Sequence, residues 1–436
     1  MDIRITQQTQ SSLLTLQKRI QITNLKIDDL FFVSLLFLTL IYPFIELDIF
    51  GLPLAKVYVL LQFLLIIFFK AVITRKNFYL PLLLPFSLLI MAGIISAINS
   101  TDPSTTLFRV FLQIIIFYIA ILVIYNTCNT ISKCYWVLFC MLLSGIFSAV
   151  SGWINYFQGN FQSVSLFFPR VTPHPWLGGT HVSLAGLMVV LLPLVCACLL
   201  ITHSHIRKTI LGAIAGLFTI TCLFTLSRAG WALLILQTLL WLWWFRRNLW
   251  VFWGTIICSF VFIFVSLPSF QTLLGSTVRE SSDIARDYLE RLSIELFFRH
   301  PFVGVGFGTF TEYNRVVFDS SYYPPRALDA HGVIYKTISE MGLIGLFSVV
   351  LIWFFVSFRL TTIYITAKID RNFRIIMLGC IISFLMNTIF EMTSTRFYSM
   401  QYWFPIGWYL AMSGAIREDL RKMMTASTLQ EGRPDE

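Results

Sequence analysis

Apolar runs near the ~20 residues needed to cross bilayer hydrocarbon recur from residue 30 to residue 416, and they constrain this chain more than any other feature. We read twelve: 30–46, 54–70, 79–98, 107–126, 134–154, 182–201, 209–226, 230–245, 249–268, 333–358, 374–392 and 399–416. The rest of the composition agrees. Of 436 residues 57% are hydrophobic, 42 are phenylalanine, and mean hydropathy is +0.77. No soluble fold hides that much apolar surface, and disorder needs the opposite balance of charge and hydrophobicity. The expectation is an all-α polytopic membrane protein with about twelve transmembrane helices.

Charge orients the runs. The net charge of +10 is read as an orientation signal, with no nucleic acid expected as partner. With the N-terminus inside, 20 of the 32 basic residues fall in short cytoplasmic loops and tails. This predicts a cytoplasmic tail over 1–29 without a cleaved export signal, a membrane domain over 30–416 and a second cytoplasmic tail over 417–436. The segment 269–332 becomes one large outer loop, periplasmic in a bacterial inner membrane. Each of the eight cysteines lies in a span or at a cytoplasmic edge, so no external disulfide framework is expected.

Within the loop, Ile284, Tyr288, Leu292 and Glu295 recur at steps of three or four after Ser281 or Ser282, which predicts a surface helix, lying along the membrane or packed on the bundle, that ends near His300-Pro301. The following GVGFGTF lacks the nucleotide-loop spacing, so its glycines are read as close backbone packing. Arg228 opens a span in LSRAG, where a guanidinium and free helix N–H groups suit a phosphate; an interfacial anchor explains it equally well. Arg291 follows Asp287 by one helical turn, an ordinary exposed pair, and periodicity does not separate it from Arg286. His331 precedes the next span, with Asp329 or Glu340 able to orient it; its alternative is an interfacial anchor. Arg170, His174 and His181 share the outer face and form a possible rim with Glu340. No zinc spacing or hard-cation carboxylate cluster is present, so neither metal nor cofactor is expected.

LSRAGW (226–231), ERLSIELFFRHPFVGVGFGTF (290–310) and AHGVIYKTISEMGLIG (330–345) together resemble the shared region of the O-antigen ligase and polysaccharide polymerase family. The resemblance covers roughly residues 170–350. It implies a glycan transferase of the bacterial inner membrane whose site faces the periplasm. The donor implied is a sugar chain on undecaprenyl pyrophosphate; the acceptor is lipid A core or another glycan, and membrane lipids surround the protein. Arg228, Arg291 and His331 match the family's functional positions, the arginines toward pyrophosphate and the histidine toward the acceptor hydroxyl. Gly332 stands where the family often has asparagine. Direct displacement would invert the linkage. A polymerase of repeat units, a protein O-glycan transferase and a secondary transporter are the alternatives.

Overall fold

The computed structural model describes residues 28–42, 48–49, 52–73, 78–159, 162–163, 169–172, 180–244, 277–317, 329–366, 370–394, 397 and 399–431. The run 249–268, both extreme tails and His174 lie outside the described residues. Among the described residues the fold is all-α apart from two small antiparallel pairs, Asp48–Ile49 with Leu52–Pro53 and Gln162–Ser163 with Pro169–Arg170. The helices are α1 (28–41), α2 (Leu54–Ile67), α3 (Leu83–Ser96), α4 (Pro103–Thr127, with a π-helical stretch over Val110–Ile115), α5 (Ile131–Phe157), α6 (His181–Ile201), α7 (His205–Phe224), α8 (Arg228–Trp244), α9 (Thr277–Arg299), α10 (Phe310–Val317), α11 (Val333–Thr366), α12 (Arg371–Glu391) and α13 (Met400–Glu431).

The span count is corrected. Among the described residues six helices are long and apolar enough to cross a membrane: α4, α5, α6, α7, α11 and α12. Within the described residues several apolar runs give shorter helices. The run 54–70 gives the 14 α-helical residues of α2, 79–98 gives the 14 of α3 before a 3₁₀ turn, and 230–245 gives the 17 of α8. At 1.5 Å per residue, 17 residues reach about 25 Å, short of the ~30 Å hydrocarbon thickness. The run 399–416 belongs to a longer helix that continues through charged residues to Glu431.

The surface-helix expectation is also corrected, since the described residues contain no large loop carrying such a helix. The predicted helix exists and stops at Arg299, but it starts earlier, at Thr277, and it is packed. Its Leu289, Leu292 and Leu296 form a small core with Val305, Phe310 and Ala330, and it lies along α11.

Caps and small residues set the bundle. Asp102 and Thr130 accept from backbone N–H groups three residues on, and Thr180 with Ser183 makes a capping box at the start of α6. α6 is central, packing against α12 and α7. Gly145 of α5 meets Leu191 and Phe218, and Gly379 of α12 meets Ala197, so helix backbones approach closely without large side chains between them. α13 buries Trp403, Trp408, Tyr402 and Tyr409 against its neighbours, running along α4.

Helix alternation gathers the candidate segments at one end of the bundle. There the Phe307 N–H donates to Ser96 Oγ (3.0 Å), Asn99 donates to the Gly304 carbonyl (3.1 Å), and the Val171 N–H donates to the Phe224 carbonyl (2.9 Å). Gly332 packs on the carbonyl of Met392, just past the end of α12.

Candidate functional site

The frame of this end is a broken helix and the loop that repairs it. α11 is interrupted at Gly342, whose φ of 63° and ψ of −157° lie outside the helical region. Such a break leaves backbone groups unpaired, and a buried unpaired group costs about 1–3 kcal/mol. The segment Pro301–Gly308 supplies the partners. The N–H groups of Val305 and Gly306 donate to the carbonyls of Ser339 (2.9 Å) and Glu340 (3.1 Å), while the Leu343 N–H donates to the Pro301 carbonyl (2.8 Å). Two backbones can approach this closely only through glycine. A Cβ at Gly304 would overlap the Glu340 carbonyl, and one at Gly342 would overlap that of Phe302. Both glycines also have positive φ. The reading of GVGFG as close packing therefore holds.

This clip covers a buried ionic group. Glu340 has no exposed surface; its Oε1 accepts from the Phe310 N–H (3.3 Å) and lies 3.7 Å from Lys336 Nζ. The same ammonium binds the Asp329 carboxylate. Arg109 of α4 lies against Gly308, near enough to repel Lys336. Glu340 is thus an interior partner of Lys336.

His331 sits between Asp329 and the start of α11, half-buried. Burial, and then the nearby Arg286 guanidinium, push its imidazole down to a pKa of about 4, so it is neutral at physiological pH. The position of Arg286 follows from helix geometry. At about 100° per residue, it lies beside the buried stripe of Leu289, Leu292, Ser293 and Leu296, whereas Arg291 lies roughly opposite. Arg286 is half-buried. The Arg291 side chain is 79% exposed and pairs with Asp287 at 3.0 Å. The ordinary i,i+4 pair is present, and the guanidinium whose charge acts on the histidine is that of Arg286. The signal for it was in the helix periodicity: position 286 shares its face with 289, 290 and 293.

Arg228 is exposed at the first position of α8. The turn before it places Leu226 at a φ of 55°, a costly conformation for a residue with a branched side chain. Ser227 Oγ accepts from the Gly230 N–H (3.2 Å) and Trp231 Nε1 donates to the Leu223 carbonyl (2.9 Å), which hold that turn. The backbone of Arg170 pairs with Gln162, and the next residue, Val171, bonds the end of α7, so this strand abuts the turn that carries Arg228. His181 is the first residue of α6 and half-buried. A small cavity of about 50 Å³ lined by Asp28, Lys70, Asn126 and Lys133 lies at the other end of the bundle, away from all these groups. Among the described residues no group of three or more His, Cys, Asp or Glu side chains could hold a metal ion.

Residues 212–350 match the family model described as O-antigen ligase. The match runs from α7 to the middle of α11 and includes Arg228, Arg286, Arg291, His331, Lys336, Glu340 and the whole clip. A search of curated proteins finds no match. The ligase-matching segment and the six apolar helices together make this a multi-pass membrane protein with an O-antigen ligase-like region.

Proposed function

We propose that this protein transfers a glycan from undecaprenyl pyrophosphate to an acceptor hydroxyl, most simply on lipid A core, at the bundle end that carries His331, and that this end faces the periplasm. The observation that carries the reading is the ligase match over 212–350, a stretch that includes the arginines and the histidine. Arg228 at a helix start and Arg286 beside His331 supply guanidinium forks for pyrophosphate oxygens, and Arg291 adds charge from the exposed side of α9. As the anomeric bond breaks, these cations neutralise the leaving pyrophosphate.

The acceptor hydroxyl attacks the anomeric carbon directly and inverts it, its proton passing to His331. A free imidazole with a pKa of about 4 is a weak base and mainly orients the hydroxyl as a hydrogen-bond acceptor. The anionic donor changes that, because a pyrophosphate near Arg286 offsets the like charge and raises the histidine's basicity when substrate is bound. No protein metal site or nucleotide enters this scheme.

The test is transfer by purified protein in lipid, with a defined undecaprenyl-pyrophosphate glycan offered lipid A core, a second donor molecule or a hydroxyl-bearing peptide. Product on lipid A core is expected. Product only on the second donor would make the protein a polymerase, and product only on the peptide a protein glycosyltransferase. Movement of a soluble solute across the bilayer without any transfer would overturn the reading in favour of a transporter.

A further inference from the structure

Lys336, Asp329 and Glu340 have no assigned part in the chemistry above, yet two of the three are buried at this end of the bundle. The Lys336 side chain is 7% exposed and Glu340 is 0% exposed. Burying such charges costs several kcal/mol per ion, and replacement by apolar residues is often neutral or stabilising. The group is therefore a poor source of stability, and its geometry suggests what it supplies instead.

The four residues Asp329–Gly332 are pinned at both ends. At the first, Asp329 Oδ2 is held by Lys336 Nζ while Oδ1 accepts from the Ala330 N–H (2.9 Å). At the second, Gly332 has a φ of 84°, packs on the Met392 carbonyl, and its own carbonyl accepts from the Lys336 N–H (3.1 Å). Lys336 thus contacts both pins, one through its side chain and one through its backbone. Its ammonium in turn lies beside Glu340, whose carboxylate accepts from the Phe310 N–H at the start of α10, just past the clip. His331 is the half-buried side chain between the pins, so the direction of its imidazole depends on where the ammonium stands.

We infer that Lys336 is a positioning residue: its ammonium, buried between Glu340 and Asp329, ties the loop carrying His331 to the broken helix and sets the imidazole's direction. This rests on the glycan-transfer reading for its consequence, since a misdirected imidazole loses the acceptor hydroxyl without loosening the donor. The contact itself stands apart from that reading. Arg109, on the far side of Gly308, keeps like charge near Lys336 and favours its leaning toward the two carboxylates.

The experiment compares wild type, Lys336→Arg, Lys336→Met and the neutral triple variant Asp329→Asn/Lys336→Met/Glu340→Gln in lipid. Two readouts are taken: the rate at which diethyl pyrocarbonate modifies His331, followed by mass spectrometry, and kcat and donor KM for transfer. Lys336→Met should raise the modification rate about 10-fold and lower kcat about 100-fold, with donor KM within about 2-fold, since displacements near 1 Å cost rates of that order. Lys336→Arg should recover most of both. The triple variant leaves no uncompensated buried charge and should behave as Lys336→Met does, so it serves if the single variant does not fold. A folded Lys336→Met or triple variant with both readouts within about 2-fold of wild type would overturn the inference. Misfolding of both neutral variants would also overturn it, because the group would then be a requirement of the fold. Absence of transfer by wild type on every acceptor would defeat the functional reading, while the His331 modification rates would still decide whether Lys336 holds the loop.

Discussion

His331 and Arg286 illustrate how one helix turn changes the chemistry available. Burial is the larger cause of the imidazole's depressed pKa and Arg286 the smaller, both favouring the neutral form. Removing the guanidinium by Arg286→Gln should therefore raise the pKa part of the way from about 4 toward the ordinary ~6.5, leaving the burial contribution. If free His331 protonation limits kcat/KM, the acid limb of the pH profile should move to higher pH in this variant; an unmoved or lowered limb would show that Arg286 does not act on His331. A parallel set of lysine variants separates the arginines. Arg228→Lys and Arg286→Lys keep charge but lose the planar fork, and each should reduce transfer about 10–100-fold, as for lost charge-assisted bonds of about 1.5–3 kcal/mol. Arg291→Lys should cost less than about 3-fold, because its exposed pair with Asp287 contributes only a few tenths of a kcal/mol. Equal losses for Arg286→Lys and Arg291→Lys would contradict this ordering. The arginine next to the loop histidine could be found in the sequence only by phasing α9 correctly; the depressed pKa depends on burial between α9 and α11, which no local pattern encodes.

At the scale of elements, the clip between Pro301–Gly308 and the break in α11 is the feature on which the site is mounted. The sequence carried its parts, a GVGFG string and an MGLIG string, without showing that one repairs the other across roughly thirty intervening residues. Gly342→Ala combines a left-handed φ with overlap against the Phe302 carbonyl, and should destabilise the protein by about 2–4 kcal/mol. Measured as thermal inactivation in detergent, a loss of several degrees is expected, whereas Gly216→Ala in α7, where a Cβ meets no atom within 4 Å, should leave the midpoint unchanged. Equal stability for the two variants would mean that the clip is not under the constraint described. Gly332→Asn should also destabilise, because the Met392 carbonyl occupies the space of the new Cβ and the backbone φ is 84°.

For the whole molecule, the alternation of α4 through α8 puts residue 204, between α6 and α7, at the end opposite the clip. Single cysteines placed at Ser204 and Glu312, both exposed positions, should label from opposite sides of the membrane, with position 312 reached from outside in intact cells. Labelling of both from one side would defeat the arrangement, and labelling of 204 alone from outside would reverse it.

The amino-acid sequence by itself determined the solvent: its apolar content and the lack of compensating charge require a bilayer, and short-range periodicity located α9 and its stop before Pro301. It also carried the ligase resemblance, since the matching strings are contiguous and each is local. Tertiary structure alone decided how many apolar runs become continuous helices long enough to span, because helix length depends on where caps and breaks interrupt a run as well as on its hydropathy. It alone decided that α9 packs along α11, that the charge acting on His331 is that of Arg286, and that Glu340 is an interior anchor. Those outcomes arise from contacts between segments far apart in sequence, where one residue's burial is set by another's shape.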